Sequence, residues 1–179
     1  LELEAKRVPH SENIFCKPDI TVPVNALLVR PTPAGAAARV REGYTCLKVK
    51  VGRRSLSQDI EVVSALAESL GDAATLRLDA NRAWSMADAR VFAEAVQGLP
   101  VAYIEEPCVS CEDSLRLAQE AIVPIALDES LNAMDAHQCR ALTGLAAFVI
   151  KPTLSGGVSG TIRLARAARA CGAEPVISA

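Results

Sequence analysis

Residues 45–79, TCLKVKVGRRSLSQDIEVVSALAESLGDAATLRLD, carry the pattern that decides the fold. The run Thr45–Val51 is apolar apart from two lysines and reads as a strand, and Thr75–Asp79 reads as another. Between them Ile60, Val63, Leu66, Ala67 and Leu70 recur at helical intervals, so a helix is expected over Ser57–Leu70, with Ser57 as its cap and Gly71 as its stop. Two apolar strands flanking an amphipathic helix form a parallel unit, because a parallel connection needs a crossover of this length. The same alternation extends both ways. Strands are expected near Val22–Arg30, Ala102–Glu105, Pro124–Asp128, Ala146–Lys151 and Glu174–Ser178, and helices near Ala36–Glu42, Met86–Gln97, Cys111–Ala121, Ala133–Leu142 and Ser159–Cys171.

This order defines an α/β chain, either a TIM-like (β/α) barrel or a doubly wound open sheet. The first βα turns contain neither G-x-G-x-x-G nor a Walker A sequence, so the phosphate-binding chemistry usual in the open sheet has no support. The barrel is the better reading. A complete one takes about 250 residues, whereas this chain has 179, so an incomplete barrel with about seven strands is expected.

Composition narrows the function. Half of the residues are hydrophobic and 22% are charged, which excludes the disordered class. A net charge of −2 supplies no field to gather nucleic acid or anionic lipid, so neither is expected as a partner and a small molecule is. No apolar run approaches the roughly 18–20 residues of a membrane span. Six scattered cysteines suit reduced thiols and a cytoplasmic location. No feature of the sequence sets an oligomeric state.

The informative charges stand at strand ends. Lys48 and Lys50 lie on the second expected strand; Asp79 ends the third, Glu105 and Glu106 the fourth, Asp128 and Glu129 the fifth, and Lys151 the sixth. In a barrel these C-terminal ends converge on one mouth. Asp79, Glu105 and Asp128 together would repel unless a cation neutralises them, and an all-oxygen set suits Mg²⁺, with Mn²⁺ a possible substitute. Lys48 and Lys50 share a face because strand side chains alternate. Lys50 and Lys151 then flank the metal, where burial and positive charge would lower a lysine pKa toward neutrality and fit it for proton transfer at a carbon acid.

Other motifs read as architecture. Cys108-Val109-Ser110-Cys111 has no second Cys pair and His10 and His137 stand alone, so a zinc or redox site is not expected. Trp84 is expected to anchor the loop after Asp79 by packing. The arginines within Thr161–Arg169 lie on a solvated helix face. Gly156-Gly157 marks a turn before a helix, where an anionic group could approach.

Taken together, Lys48-Val49-Lys50, Leu76-Arg77-Leu78-Asp79-Ala80-Asn81-Arg82-Ala83-Trp84, Ile104-Glu105-Glu106-Pro107, Ala126-Leu127-Asp128-Glu129-Ser130 and Ile150-Lys151-Pro152-Thr153 resemble the enolase superfamily, muconate-lactonizing subgroup, and within it the o-succinylbenzoate synthase family. The resemblance implies a capping α+β domain followed by a modified (β/α)7β barrel. It implies Asp79, Glu105 and Asp128 as Mg²⁺ ligands, Lys50 as the base that removes the α-proton, and Lys151 as stabiliser of the enediolate. Lys48 and Asn81 would support them, and Arg77 would order the pocket. The implied reaction is dehydration of 2-succinyl-6-hydroxy-2,4-cyclohexadiene-1-carboxylate to 2-succinylbenzoate, a lyase step of menaquinone biosynthesis.

Against that pattern, residues 1–21 are expected to be a linker or tail from a capping domain, and 22–179 a barrel domain truncated at its C-terminal end. Such a chain alone is expected to turn over little substrate. Two alternatives stay open: a racemase or epimerase acting on N-acylamino acids or dipeptides with the same two lysines, and an inactive metal-binding barrel fragment.

Overall fold

The computed structural model describes residues 22–178. His10, Cys16 and the whole of the expected tail 1–21 lie outside them. The chain runs β1 (Ala26–Leu28), α1 (Pro33–Arg41), β2 (Cys46–Lys50), α2 (Leu56–Leu70), β3 (Thr75–Asp79), α3 (Met86–Ala95), β4 (Val101–Glu105), α4 (Cys111–Glu120), β5 (Ile125–Leu127), α5 (Ala136–Arg140), β6 (Ala147–Ile150), α6 (Gly157–Ala170) and β7 (Glu174–Ile177). Short 3-10 turns occupy Gly71–Ala73 and Glu129–Ala133. All seven expected strands are present and pair in parallel in sequence order, β1 to β7. This is the curled sheet of an incomplete (β/α) barrel.

Alternation along the strands separates two faces. Leu47 and Val49 on β2, Leu76 and Leu78 on β3, Ile104 on β4, Ile125 and Leu127 on β5, and Phe148 and Ile150 on β6 join one buried cluster with Val63 and Leu66 of α2, Phe92 of α3 and Leu117 of α4. Each such side chain contributes about 1.5–3 kcal/mol through burial, so this outer interface holds the sheet to its helices. The inner face has a smaller cluster, Tyr103, Ala126, Ala147 and Val149, with Val176 packed against it. No helix among the described residues is long and apolar enough to cross a membrane.

Register sets the inner face. Lys48 pairs with Arg77 and Lys50 with Asp79, so the two lysines share a face as expected. Between β3 and β4 the register shifts after Leu76↔Val101, and Arg77 then pairs with Tyr103 and Asp79 with Glu105. That one-residue irregularity changes the phase of β4, bringing Tyr103 and Glu105 to the same side as Arg77 and Asp79.

Three expectations are corrected. Helix α2 is capped by Ser55, not Ser57: the Ser55 hydroxyl accepts from the Gln58 N–H, and Gln58 reaches back to the Ser55 N–H, a reciprocal box that Ser57 could not complete. The helix expected over Ala133–Leu142 is confined to Ala136–Arg140, because Asp135 caps it there and the preceding residues form the 3-10 turn. Strand β1 is only Ala26–Leu28, since Pro31 and Pro33 frame the entry to α1, capped by Thr32.

Gly71, with φ +49°, ends α2 as expected. Trp84 is buried as an anchor, its ring centroid 4.4 Å from that of Phe92. The five described cysteines are free thiols.

Candidate active site

The C-terminal ends of β2 to β6 gather the charged side chains into one network. Lys48 Nζ lies 2.8 Å from Asp79 Oδ2 and 2.7 Å from Glu105 Oε2, while Lys50 Nζ donates to Asp79 Oδ2 at 2.5 Å. Across the sheet, Lys151 Nζ donates to Asp128 and, at 3.2 Å, to Glu129 Oε1. Asn81 Nδ2 donates to the same Glu129 oxygen at 3.4 Å. Asp79, Glu105 and Asp128 are all buried, whereas the Lys50 side chain keeps about a third of its surface (35%) exposed. The base candidate is therefore open to solvent, and the carboxylates are not.

Burial pushes the Glu105 carboxyl up and the charge of Asp79 adds to it, so that despite Lys48 it is raised to about 7. Burial would also raise Asp79, but hydrogen bonds from Lys48 and Lys50 outweigh it and hold Asp79 below the usual range. Glu105 thus bears first the cost of burial and then the charge of Asp79.

The lysines are paired with carboxylates. Burial draws Lys48 down, but Glu105 and Asp79 together leave it above its ordinary value; burial likewise draws Lys151 down and Asp128 and Glu129 outweigh it. The expected lowering requires added positive charge. Paired with carboxylates, these amines are held protonated instead.

Arg77 lies beneath this network. Its guanidinium donates to Asn25 Oδ1 at 3.1 Å and sits 5.2 Å from the Tyr103 ring centroid, while its Nε is buried without a hydrogen-bond partner. It thereby spans from the residue before β1 across β3 to β4.

Sequence reasoning missed the residues that hold the loops. Glu106 is fully buried and accepts from the Asp128 and Ser130 N–H groups, the Ser130 hydroxyl and Arg82. Asp59, also fully buried, accepts from the Gly52 N–H at 2.6 Å and from Arg54 at 2.7 Å, fixing the turn after Lys50. Gly52 has φ +77°, and a Cβ on it would stand 2.3 Å from that of Ala83, so only glycine lets this turn rest on the β3 loop. A cavity of about 320 Å³ beside it is lined by Lys50, Arg53 and Arg54 with Leu27, Leu28, Val29 and Pro31. A larger one, about 410 Å³, lies near Val123 and Gly172, at the end of the sheet away from the charges, and takes no part in the site.

The fold and site define a class: a parallel β/α barrel with carboxylates and lysines on successive strand ends. Residues 33–178 match the family described as Enolase C-terminal domain-like, and the chain belongs to that family. It is 41% identical over 151 residues to an o-succinylbenzoate synthase of Yersinia pseudotuberculosis, covering 83% of this chain and 46% of that protein. Over 146 residues it is 39% identical to Protein PHYLLO, chloroplastic, of Arabidopsis thaliana, covering 78% of this chain and 8% of that one. Among solved structures, muconate cycloisomerase from Pseudomonas fluorescens superposes with a TM-score of 0.77 at 28% identity, over 86% of this chain and 45% of that one. The chain thus spans less than half the length of these relatives.

The family implies Mg²⁺. Among the described residues no three acidic, thiol or imidazole groups stand as a ready-made ligand cluster, and lysines are bonded to Asp79, Glu105 and Asp128. The donor chemistry nevertheless fits. Asp79, Glu105 and Asp128 offer buried hard oxygens at the ends of three adjacent strands.

Proposed function

We propose that the protein carrying this chain is an o-succinylbenzoate synthase, dehydrating 2-succinyl-6-hydroxy-2,4-cyclohexadiene-1-carboxylate to 2-succinylbenzoate in menaquinone biosynthesis. The observation that carries the reading is the pair of lysines at the ends of β2 and β6, each bonded to a different member of the set Asp79, Glu105 and Asp128. The similarity to the Yersinia enzyme supports the choice of substrate. Residues 22–179 would be the barrel portion of a longer chain, with 1–21 leading from a capping domain, and a cytoplasmic location belongs to the same proposal.

Asp79, Glu105 and Asp128 would hold the ion. When bound, Mg²⁺ supplies fixed positive charge to a substrate carboxylate as the adjacent carbon loses its proton. Lys50, the more exposed amine on β2, takes the α-proton and returns it to the departing hydroxyl. Lys151, held by Asp128 and Glu129, presents its charge to the developing anion from β6. Lys48 bridges Asp79 and Glu105 and keeps them side by side. Aromatisation drives the loss of water, so the site's task is to make the carbon acidic.

The test is loss of the cyclohexadiene's absorbance in the protein made from its complete reading frame. Mg²⁺-dependent loss, abolished by a chelator and accompanied by succinylbenzoate, is expected. No loss in protein shown to bind Mg²⁺ would exclude the synthase; exchange of an α-proton with solvent deuterium in both stereoisomers of an N-acylamino acid would then indicate the racemase chemistry.

A further inference from the structure

Among the described residues four non-glycine residues have left-handed backbones, and three of them, Asn81 (φ 52°), Arg82 (φ 62°) and Glu106 (φ 45°), stand at the mouth. Such conformations persist only where surrounding contacts over-determine them. Here the contacts converge on Glu106. Its Oε1 accepts from the Asp128 N–H at 2.9 Å and the Ser130 N–H at 2.7 Å; its Oε2 accepts from the Ser130 hydroxyl at 2.9 Å and the Arg82 Nε–H at 3.4 Å. Arg82 in turn donates from its backbone to the Glu106 carbonyl at 2.7 Å and from its guanidinium to Ser130 Oγ at 2.9 Å.

One buried carboxylate therefore joins the loops that follow β3, β4 and β5. These are the segments that begin at Asp79, Glu105 and Asp128. The positive φ at Glu106 also explains why consecutive glutamates serve opposite purposes: Glu105 points into the lysine network, while Glu106 turns back beneath the β5 loop.

We propose that Glu106 is a positioning residue that sets the spacing of the three carboxylates, acting through the Asp128 and Ser130 amides and through Arg82, without itself touching ion or substrate. The inference rests on the metal-dependent reading above but goes beyond it, since the family assignment gives Glu106 no role.

The test uses the protein from its complete reading frame, with Mn²⁺ as the probe followed by electron paramagnetic resonance. Glu106→Gln keeps the size of the side chain but replaces an acceptor oxygen with an NH₂ facing Ser130 and Arg82. It is expected to stay folded, to weaken Mn²⁺ binding by about 10- to 100-fold, the range for groups that orient metal ligands, and to alter the Mn²⁺ spectrum. Amide exchange at Asp128 and Ser130 should quicken. Ser130→Ala, which removes one of the four donors, should act in the same direction with smaller size, and it carries the test if Glu106→Gln fails to fold.

A variant that melts earlier yet binds Mn²⁺ as wild type does, with the same spectrum, would make Glu106 a brace for the fold and overturn the proposal. Wild type that binds Mn²⁺ but leaves the cyclohexadiene untouched would refute the synthase reading, while the affinity ratio would still decide the role of Glu106. Wild type that binds no divalent cation would overturn both.

Discussion

On β3, Leu76 and Leu78 point toward the helices and are fully buried, while Arg77 and Asp79 alternate with them onto the inner face, among lysines, carboxylates and a tyrosine ring. The two faces share one backbone but meet different demands. The outer face gains from apolar area removed from water, which any well-packed side chain of the right size supplies. The inner face keeps its lysines and carboxylates through partners of opposite sign and Arg77 through Asn25 and the Tyr103 ring, conditions that depend on register residue by residue. Fold and chemistry are thus separable along a single strand, and substitutions can address each alone.

The largest separation is expected at Lys50. Lys50→Ala should lower turnover by about 10²- to 10⁴-fold, the usual share of a positioned acid or base, with an unchanged circular dichroism spectrum and little loss of stability, since the amine is partly exposed. Assay of the cyclohexadiene alongside a melting curve checks both halves; retained turnover would remove Lys50 from its role. On the other face Leu78→Ala should cost about 2–5 kcal/mol in urea unfolding, as for other fully buried leucines. Turnover per folded molecule should stay the same. A drop there would show that the faces are coupled through β3.

Gly52 belongs to both regions, because its turn follows Lys50 and rests on the β3 loop. Gly52→Ala adds a Cβ at positive φ, a penalty of about 1–2 kcal/mol, and that Cβ has no room beside Ala83. Stability and turnover should both fall, and with the Asp59 clamp intact the turnover loss should exceed what the unfolded fraction accounts for. If activity tracked the folded fraction alone, the turn would serve only the fold.

The contrast between faces also explains what could be read in advance. Seven strands were legible because parallel strands buried on both faces, as β5 and β6 are at every position, read as apolar runs of strand length. Lys48 and Lys50 could be put on one face from period-two alternation, and Asp79, Glu105 and Asp128 could be grouped because barrel strands end at one mouth. The supporting contacts were less legible. Glu106 differs from Glu105 by a left-handed backbone that no spacing announces, and the phase of β4 depends on an irregularity after Leu76. Ser55 did leave a signal, the Gln58 three residues later, which distinguishes it from Ser57. The raised pKa of Lys48 and Lys151 follows from which carboxylate each amine touches, which is a property of the folded arrangement.

The smallest effect is expected where a contact resembles those of the site most closely in its chemistry. Arg90 on α3 and Glu120 at the end of α4 form a two-pronged pair, with nitrogen–oxygen distances of 2.8 and 2.5 Å, as short as the bond between Lys50 and Asp79. The hydrogen bond to Glu120 raises Arg90 and lowers Glu120, so by sign the pair is attractive. Yet it lies in water on the rim of the helices, where either charge is well solvated alone. Arg90→Ala should therefore leave the melting temperature and turnover unchanged, and added salt should not distinguish it from wild type. A clear loss of stability would mean that the pair pins α3 to α4, and that the outer layer, like the inner face, depends on specific charge partners as well as on buried area.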